Sequence, residues 1–196
     1  MDLYQPTEAE IQLAERYEEY EMAYFEDFTM QPDSILHDFI CYEVGDKSGN
    51  WHEESYDFPS MELALNDYSF KIGSLDGCTG LCDNESRTIT IDPKYVNTQR
   101  VILHEMIHAY IHILNEGPLF FMSEYLILML HKNLSEKIKD LDERIVSHSH
   151  MIRQEDFDNC GWHGILFFLK SLDLDLRLDL PLGTVCGYGR DEELGP

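Results

Sequence analysis

Positive charge is what this sequence most lacks. Lys and Arg number 14 against 38 Asp and Glu, a formal net charge of -24, so the surface as a whole repels phosphate backbones and anionic membranes. Direct nucleic-acid binding is not expected on that balance, and a partner drawn by charge is expected to be basic. Apolar runs of membrane-spanning length are also missing: the longest, residues 119–130, is interrupted by Ser123 and Glu124 and falls short of the ~20 residues a helical span needs. The opening MDLYQPTEAE has neither the basic cluster nor the apolar segment of a secretory leader, so the expected location is cytoplasmic or nuclear. Cysteine is sparse. Cys41, Cys78, Cys82, Cys160 and Cys186 are odd in number and scattered, which fits reduced thiols better than a disulfide framework. Cys78 and Cys82 have a spacing zinc can use, but no second Cys or His pair stands close enough in sequence to complete four ligands. Repeats and low-complexity tracts are lacking as well.

What is present suffices for one core: 43% of 196 residues are hydrophobic and 12% aromatic. Residues 1–30 read as an acidic amphipathic helix in which Leu13, Tyr17, Tyr20, Tyr24 and Phe28 form a stripe at helical spacing that docks on the body of the protein. Residues 1–62 hold 17 Asp and Glu against Arg16 and Lys47 alone, so this part supplies most of the negative charge. A solvated acidic face explains that composition; attraction of a basic partner, or folding of the helix over an active-site groove as a cover, is the sharper alternative. Residues 31–60 read as loops, with His37 and His52 as surface histidines. A short helix is expected over 61–68, a glycine-rich turn region over 73–80, and a strand at Arg87–Ile91 (RTITI) that Asp92-Pro93 stops. Beyond residue 119 the spacing predicts a helix over 119–141, a polar loop over 147–159 and a buried helix over 162–172. Leu172, Leu174, Leu176, Leu178 and Leu180 then alternate with charges, a period that fits a strand although the neighbouring residues are helical. Residues 183–196 read as a flexible tail.

One stretch concentrates the chemistry. Val101–Tyr110, VILHEMIHAY, places His104, Glu105 and His108 in the order H-E-x-x-H. Histidines four apart on a helix differ by about 40° in direction and about 6 Å along the axis, so both rings reach one metal ion. Glu105 is placed to take a proton from a water at that metal. A helix over 97–115 is expected, with Asn97 or Thr98 at its start and Gly117-Pro118 beyond its end. A catalytic zinc needs a third protein ligand, and spacing leaves five candidates open: His112, Glu124, His148, His150 and His163. His163, between small residues at the mouth of an apolar helix, has the lead. Tyr95, Tyr110 and Tyr188 are candidates for the donor that steadies an oxyanion.

VILHEMIHAY, the downstream Gly161-Trp162-His163-Gly164 segment with Phe167, the LDLDL stretch and the upstream GCTGLCDNESRTITIDP together resemble the SprT-like zinc metalloproteases, the family of the Spartan proteases and of short fungal SprT-like proteins. The resemblance covers about residues 60–182. It implies an α+β, zincin-like fold, with the active-site helix packed on a small, mainly antiparallel sheet and extra helices added. It further implies Zn2+ held by His104, His108 and His163, Glu105 as general base, and hydrolysis of peptide bonds in a protein or peptide substrate. Trp162 stands where the family commonly has glycine before the histidine, the interval between the motifs is long, and the charge is opposite to that of a DNA-binding protease; the resemblance therefore carries hydrolysis further than DNA repair. The expected organisation is an acidic helical arm with loops (1–59), a catalytic domain (60–182) and a tail (183–196). Two other readings share these residues: a zinc enzyme acting on a small molecule, and a zincin scaffold that binds basic partners. An intact Glu105 argues against the scaffold, which has no need of a base.

Overall fold

The computed structural model describes residues 5–25, 68–116, 120–154 and 163–187. Within them the architecture is α+β, with five helices around a three-stranded mixed sheet. The first helix, α1 (Glu8–Tyr24), starts at Thr7 with a reciprocal cap: the Thr7 hydroxyl accepts the Glu10 amide at 3.3 Å, and the Glu10 carboxylate accepts the Thr7 amide at 2.8 Å. The aromatic stripe docks as expected. Leu13 and Tyr17 are buried in the common core, Tyr20 and Tyr24 pack against it, and Tyr17 lies 3.9 Å from the Phe70 ring; Phe28 falls outside the described residues.

The sheet comprises β1 (Ser69–Ile72), β2 (Gly80–Asp83) and β3 (Thr88–Ile91) in the order β1-β3-β2. RTITI is the central strand, which is why Thr88, Ile89 and Ile91 are all buried. A turn closed by the Asp83 carboxylate, which accepts the Glu85 amide at 3.0 Å and the Ser86 hydroxyl at 2.7 Å, makes β2 the antiparallel partner of β3, with Gly80 opposite Ile91. This leaves β1 the other side of β3, where it runs parallel with Ser69 opposite Thr88. The sheet is thus one parallel and one antiparallel pair rather than mainly antiparallel. Beyond β1, the second Glu10 oxygen accepts the outward Ile72 amide at 3.2 Å, so α1 occupies the β1 edge.

The motif helix, α2 (Gln99–Glu116), begins two residues later than expected and is buried almost all round: Ile102, Leu103, Met106, Ile107, Ala109 and Tyr110 have no exposed surface. The Arg16 guanidinium donates to the Val96 carbonyl and the Asn97 side chain just before it, at 2.7 and 2.9 Å. The helix expected over 119–141 is α3 (Phe120–Ser135), ended by a turn in which the Leu134 carbonyl accepts the Ile138 amide at 2.7 Å. The polar stretch read as a loop from residue 147 belongs instead to α4 (Leu141–Gln154). Among its described side chains, 141–149, Leu141 and His148, seven apart, are the buried ones, a stripe too narrow to show through a charged sequence; residues 155–159 lie outside the described set.

The alternating leucines are also helical as far as residue 177. The fifth helix, α5 (Ile165–Arg177), runs through LDLDL and is buried from Leu166 to Asp175. The alternation misleads because its charges pair at helical spacing. Asp173 takes Lys170 three residues before it and Arg177 four after, each at 3.1 Å, and Lys170 also donates to the Tyr24 carbonyl at 2.6 Å. The expected tail is ordered in turns over 183–187, where Val185 and Cys186 are buried; residues 188–196 lie outside the described set, as do the loops at 31–60 and the helix expected over 61–68 apart from Tyr68. No helix among the described residues is long and apolar enough to cross a membrane.

Glu10 joins the cap of α1 to the edge of the sheet. Glu10→Ala is therefore expected to lower the unfolding free energy by about 1–3 kcal/mol, measured as a reduced urea midpoint; an unchanged midpoint would show that helix and strand dock without it.

Candidate metal centre

His104 and His108 lie one turn apart on α2, and His163 arrives from the two-residue lead-in to α5. Their ring centroids are 5.0 to 5.1 Å apart in all three pairings. One ring nitrogen from each falls within 4.8 Å of the other two. Among the described residues this is the one group of three potential ligands. His112 is half-buried one turn further along α2 and outside the group, Glu124 is exposed on α3, and the side chain of His150 is outside the described residues.

The rings are held from behind by groups that spacing does not reveal. Phe167 lies under all three, at 4.9, 4.5 and 4.4 Å from the centroids of His104, His108 and His163. His104 Nδ1 is 2.7 Å from the Val185 carbonyl, which can only accept, so Nδ1 carries the proton and Nε2 keeps its lone pair. His148 performs a similar service for the third ring. Fully buried on α4 and stacked on Phe168 at 4.1 Å, it donates from Nε2 to the His163 carbonyl at 2.7 Å. A helix read as a loop thus anchors the segment that presents His163.

His104 Nε2 and His163 Nε2 stand 3.3 Å apart. Two ligand nitrogens at 2.0–2.1 Å from a tetrahedral zinc are separated by about 3.3–3.4 Å, so the pair already has the spacing of two ligands of one ion. Protonation is a poor substitute for a cation here. Burial holds all three imidazoles below their ordinary pKa; for His108, to about 2, and for His163, to about 4, the neighbouring histidines add to it. Three neutral imidazoles are a donor set that suits Zn2+.

Glu105 is buried, turned towards β2. Asp92 donates to the Thr79 carbonyl at 3.0 Å, and alternation along the antiparallel ladder then turns Gly80 and Cys82 away from β3. The Cys82 amide accordingly donates to the Glu105 carboxylate. Gly80 is required by close approach: a Cβ there would stand 2.6 Å from Glu105 Oε1. Burial pushes the Glu105 carboxyl up to about 8 against the Cys82 amide. The adjoining Cys82 thiol, pushed up to about 12 by burial and by Glu105, is no nucleophile. Of the candidate phenols, Tyr110 donates to Glu21 and stacks on Phe25, Tyr95 is half-buried in the turn before α2, and Tyr188 is outside the described residues. Tyr17 emerges instead as a phenol near the base: its buried hydroxyl has no hydrogen-bond partner among the described residues, and burial, then Glu105, raise its pKa.

In metal-free protein, these shifts set the dependence of stability on pH. The folded histidines sit below their unfolded value of about 6.5, so as pH falls through 6.5 the unfolded chain takes up protons that the native site refuses, and stability drops. Glu105, and Asp175 of α5, pushed by burial up to about 6, have the opposite sign. The native state keeps protons that unfolded carboxyls release near pH ~4, and this contribution is lost as pH rises through 6 to 8. Urea midpoints measured in chelator are expected to peak near pH ~6.5 and fall on both sides, with Glu105→Gln flattening the alkaline limb. A steady rise with pH across that range would contradict the buried carboxyl. Comparison of the chain with protein-family models, curated proteins and solved structures finds no match.

Proposed function

We propose that this protein is a zinc-dependent peptidase of zincin type, in which His104, His108 and His163 hold the metal and Glu105 is the general base. The observation that carries this reading is the meeting of His163, brought from the far side of the α3–α4 pair, with the two imidazoles of α2 at ligand spacing. The resemblance of these residues and their flanking sequence to SprT-like proteases supports the same roles.

Zinc in such a site supplies Lewis acidity, bringing the pKa of a water towards about 7 and polarising a carbonyl oxygen. The chain's own groups do the rest. The Val185 carbonyl holds His104 in the tautomer that offers Nε2, and the His148 contact steadies the His163 backbone. Phe167 closes the inner side of the three rings and keeps water out. Glu105, oriented by the Cys82 amide, takes the proton of the attacking water and delivers it to the leaving amine. A peptide is favoured over a small molecule because, among the described residues, β2 is the outer strand beside Glu105; its Cys82 amide is taken by Glu105, and the other outward backbone groups of Gly80 and Cys82 are ones an extended chain can meet.

Purified wild-type protein is expected to carry stoichiometric zinc, and His163→Ala to lose it; retained zinc would remove His163 from the ligand set. Glu105→Gln is expected to keep zinc while cleavage of an unfolded protein falls by about 10²–10⁴. Equal cleavage in that variant rejects Glu105 as the base, and turnover of small esters or amides without cleavage of unfolded protein rejects the peptidase in favour of a small-molecule hydrolase.

A further inference from the structure

Asp175 lies on the buried face of α5, with no exposed surface and away from the three imidazoles. Its carboxylate gathers amides from the turn that follows the helix: Oδ2 accepts from Gly183 at 2.6 Å and Oδ1 from Val185 at 2.9 Å. The turn is tight. The Thr184 amide donates to the Pro181 carbonyl at 3.1 Å, the Leu180 amide to the Asp175 carbonyl at 2.8 Å, and Gly183 sits at φ 97°, where a side chain is strained. Val185 therefore has both ends of its polar backbone engaged. Its amide points at Asp175, and its carbonyl accepts the Nδ1 proton of His104 at 2.7 Å.

We propose that Asp175 is a positioning residue for His104, acting through the 183–185 turn to fix the ring's direction and its Nδ1–H tautomer, so that the Nε2 lone pair faces His163. The proposal rests on the reading of His104 as a metal ligand. In many metal sites a carboxylate meets the ligating imidazole directly. Here a peptide unit stands between them, and the carboxylate sets the place of the carbonyl rather than touching the ring. The arrangement also gives the LDLDL stretch a task beyond packing. Its second aspartate faces the centre of the fold because the helix continues through it, whereas a strand would have put both aspartates on one face.

Asp175→Asn keeps the shape but presents an amide NH2 to the N–H donors of the turn, so at least one of these bonds is replaced by a repulsive contact. Long-range ¹H–¹⁵N spectra of the metal-free, full-length protein read the tautomer directly. Wild type is expected to show His104 protonated at Nδ1, and Asp175→Asn to show a mixture of tautomers. Zinc affinity, measured by competition with a chromophoric chelator, is expected to fall 10–100-fold in the variant. A wild-type His104 protonated at Nε2 overturns the proposal, and so does a folded variant with unchanged tautomer and unchanged affinity, whatever its melting temperature. Should the variant fail to fold, the wild-type spectrum alone decides. A wild type that shows the Nδ1 proton, loses it on substitution and yet takes up no zinc would overturn the metal reading while sustaining the positioning of His104 by Asp175, so the two failures are distinguishable.

Discussion

The inner face of α2 has no room for an unanswered polar group. Six of its residues from Ile102 to Tyr110 are fully buried, and between them the helix carries two imidazoles and a carboxylate. Each such group left without a partner costs roughly 1–3 kcal/mol. Two of the demands are met from distant parts of the chain: Glu105 by the Cys82 amide and His104 by the Val185 carbonyl. The third, His108, stands between the rings of His104 and His163, each 5.0 Å away, where a cation taking a lone pair from each ring would answer it. This one requirement accounts for the convergence on residues 104–108 of segments as remote in sequence as 80–82, 163 and 185.

The parts of this arrangement that sequence discloses are those whose geometry is local. The ligand pair and the base lie within five residues of one helix, and α2 itself is bounded by turn residues at both ends, so its position was legible to within two residues. RTITI shows as a strand because its β-branched residues alternate. His163 was legible only as the leader among five candidates, since its distance from α2 is spanned by two helices whose packing no spacing records. Val185 and Asp175 were not legible as parts of the site, and His148 was legible only as a candidate ligand, not as the support of the His163 backbone. Two of the three act through hydrogen bonds that involve a backbone atom, as donor to a carbonyl or acceptor from amides, and Val185 acts with its own carbonyl; such interactions leave no trace in side-chain type.

The misreadings have a common cause. The stretch 172–180 alternates apolar and charged residues because α5 is buried on nearly every side and satisfies its charges internally, Lys170 to Asp173 to Arg177, so polarity there does not mean exposure. The opposite error arose in α4, where polar residues cover a helix that buries one fully hidden histidine. Periodicity assumes that charge marks solvent. That assumption breaks at the helices nearest the candidate centre, where buried polar groups are concentrated.

Packing likewise decides what the acidic N-terminal helix can do. A cover for the cleft has to be removable, and α1 is not. It is bonded to the outer edge of β1 through Glu10, and its Tyr17 is buried where Glu105 acts on the phenol. Leu13 and Tyr17 are part of the one core, so lifting the helix would expose that core. Its exposed acids, Glu8, Glu15, Glu18 and Glu19, therefore act from fixed positions. At physiological ionic strength, fixed surface charge reaches only about 8 Å before screening takes over. Any influence on a basic partner would accordingly be felt during approach, through the potential of the whole negative surface, and not as a contact at the three imidazoles.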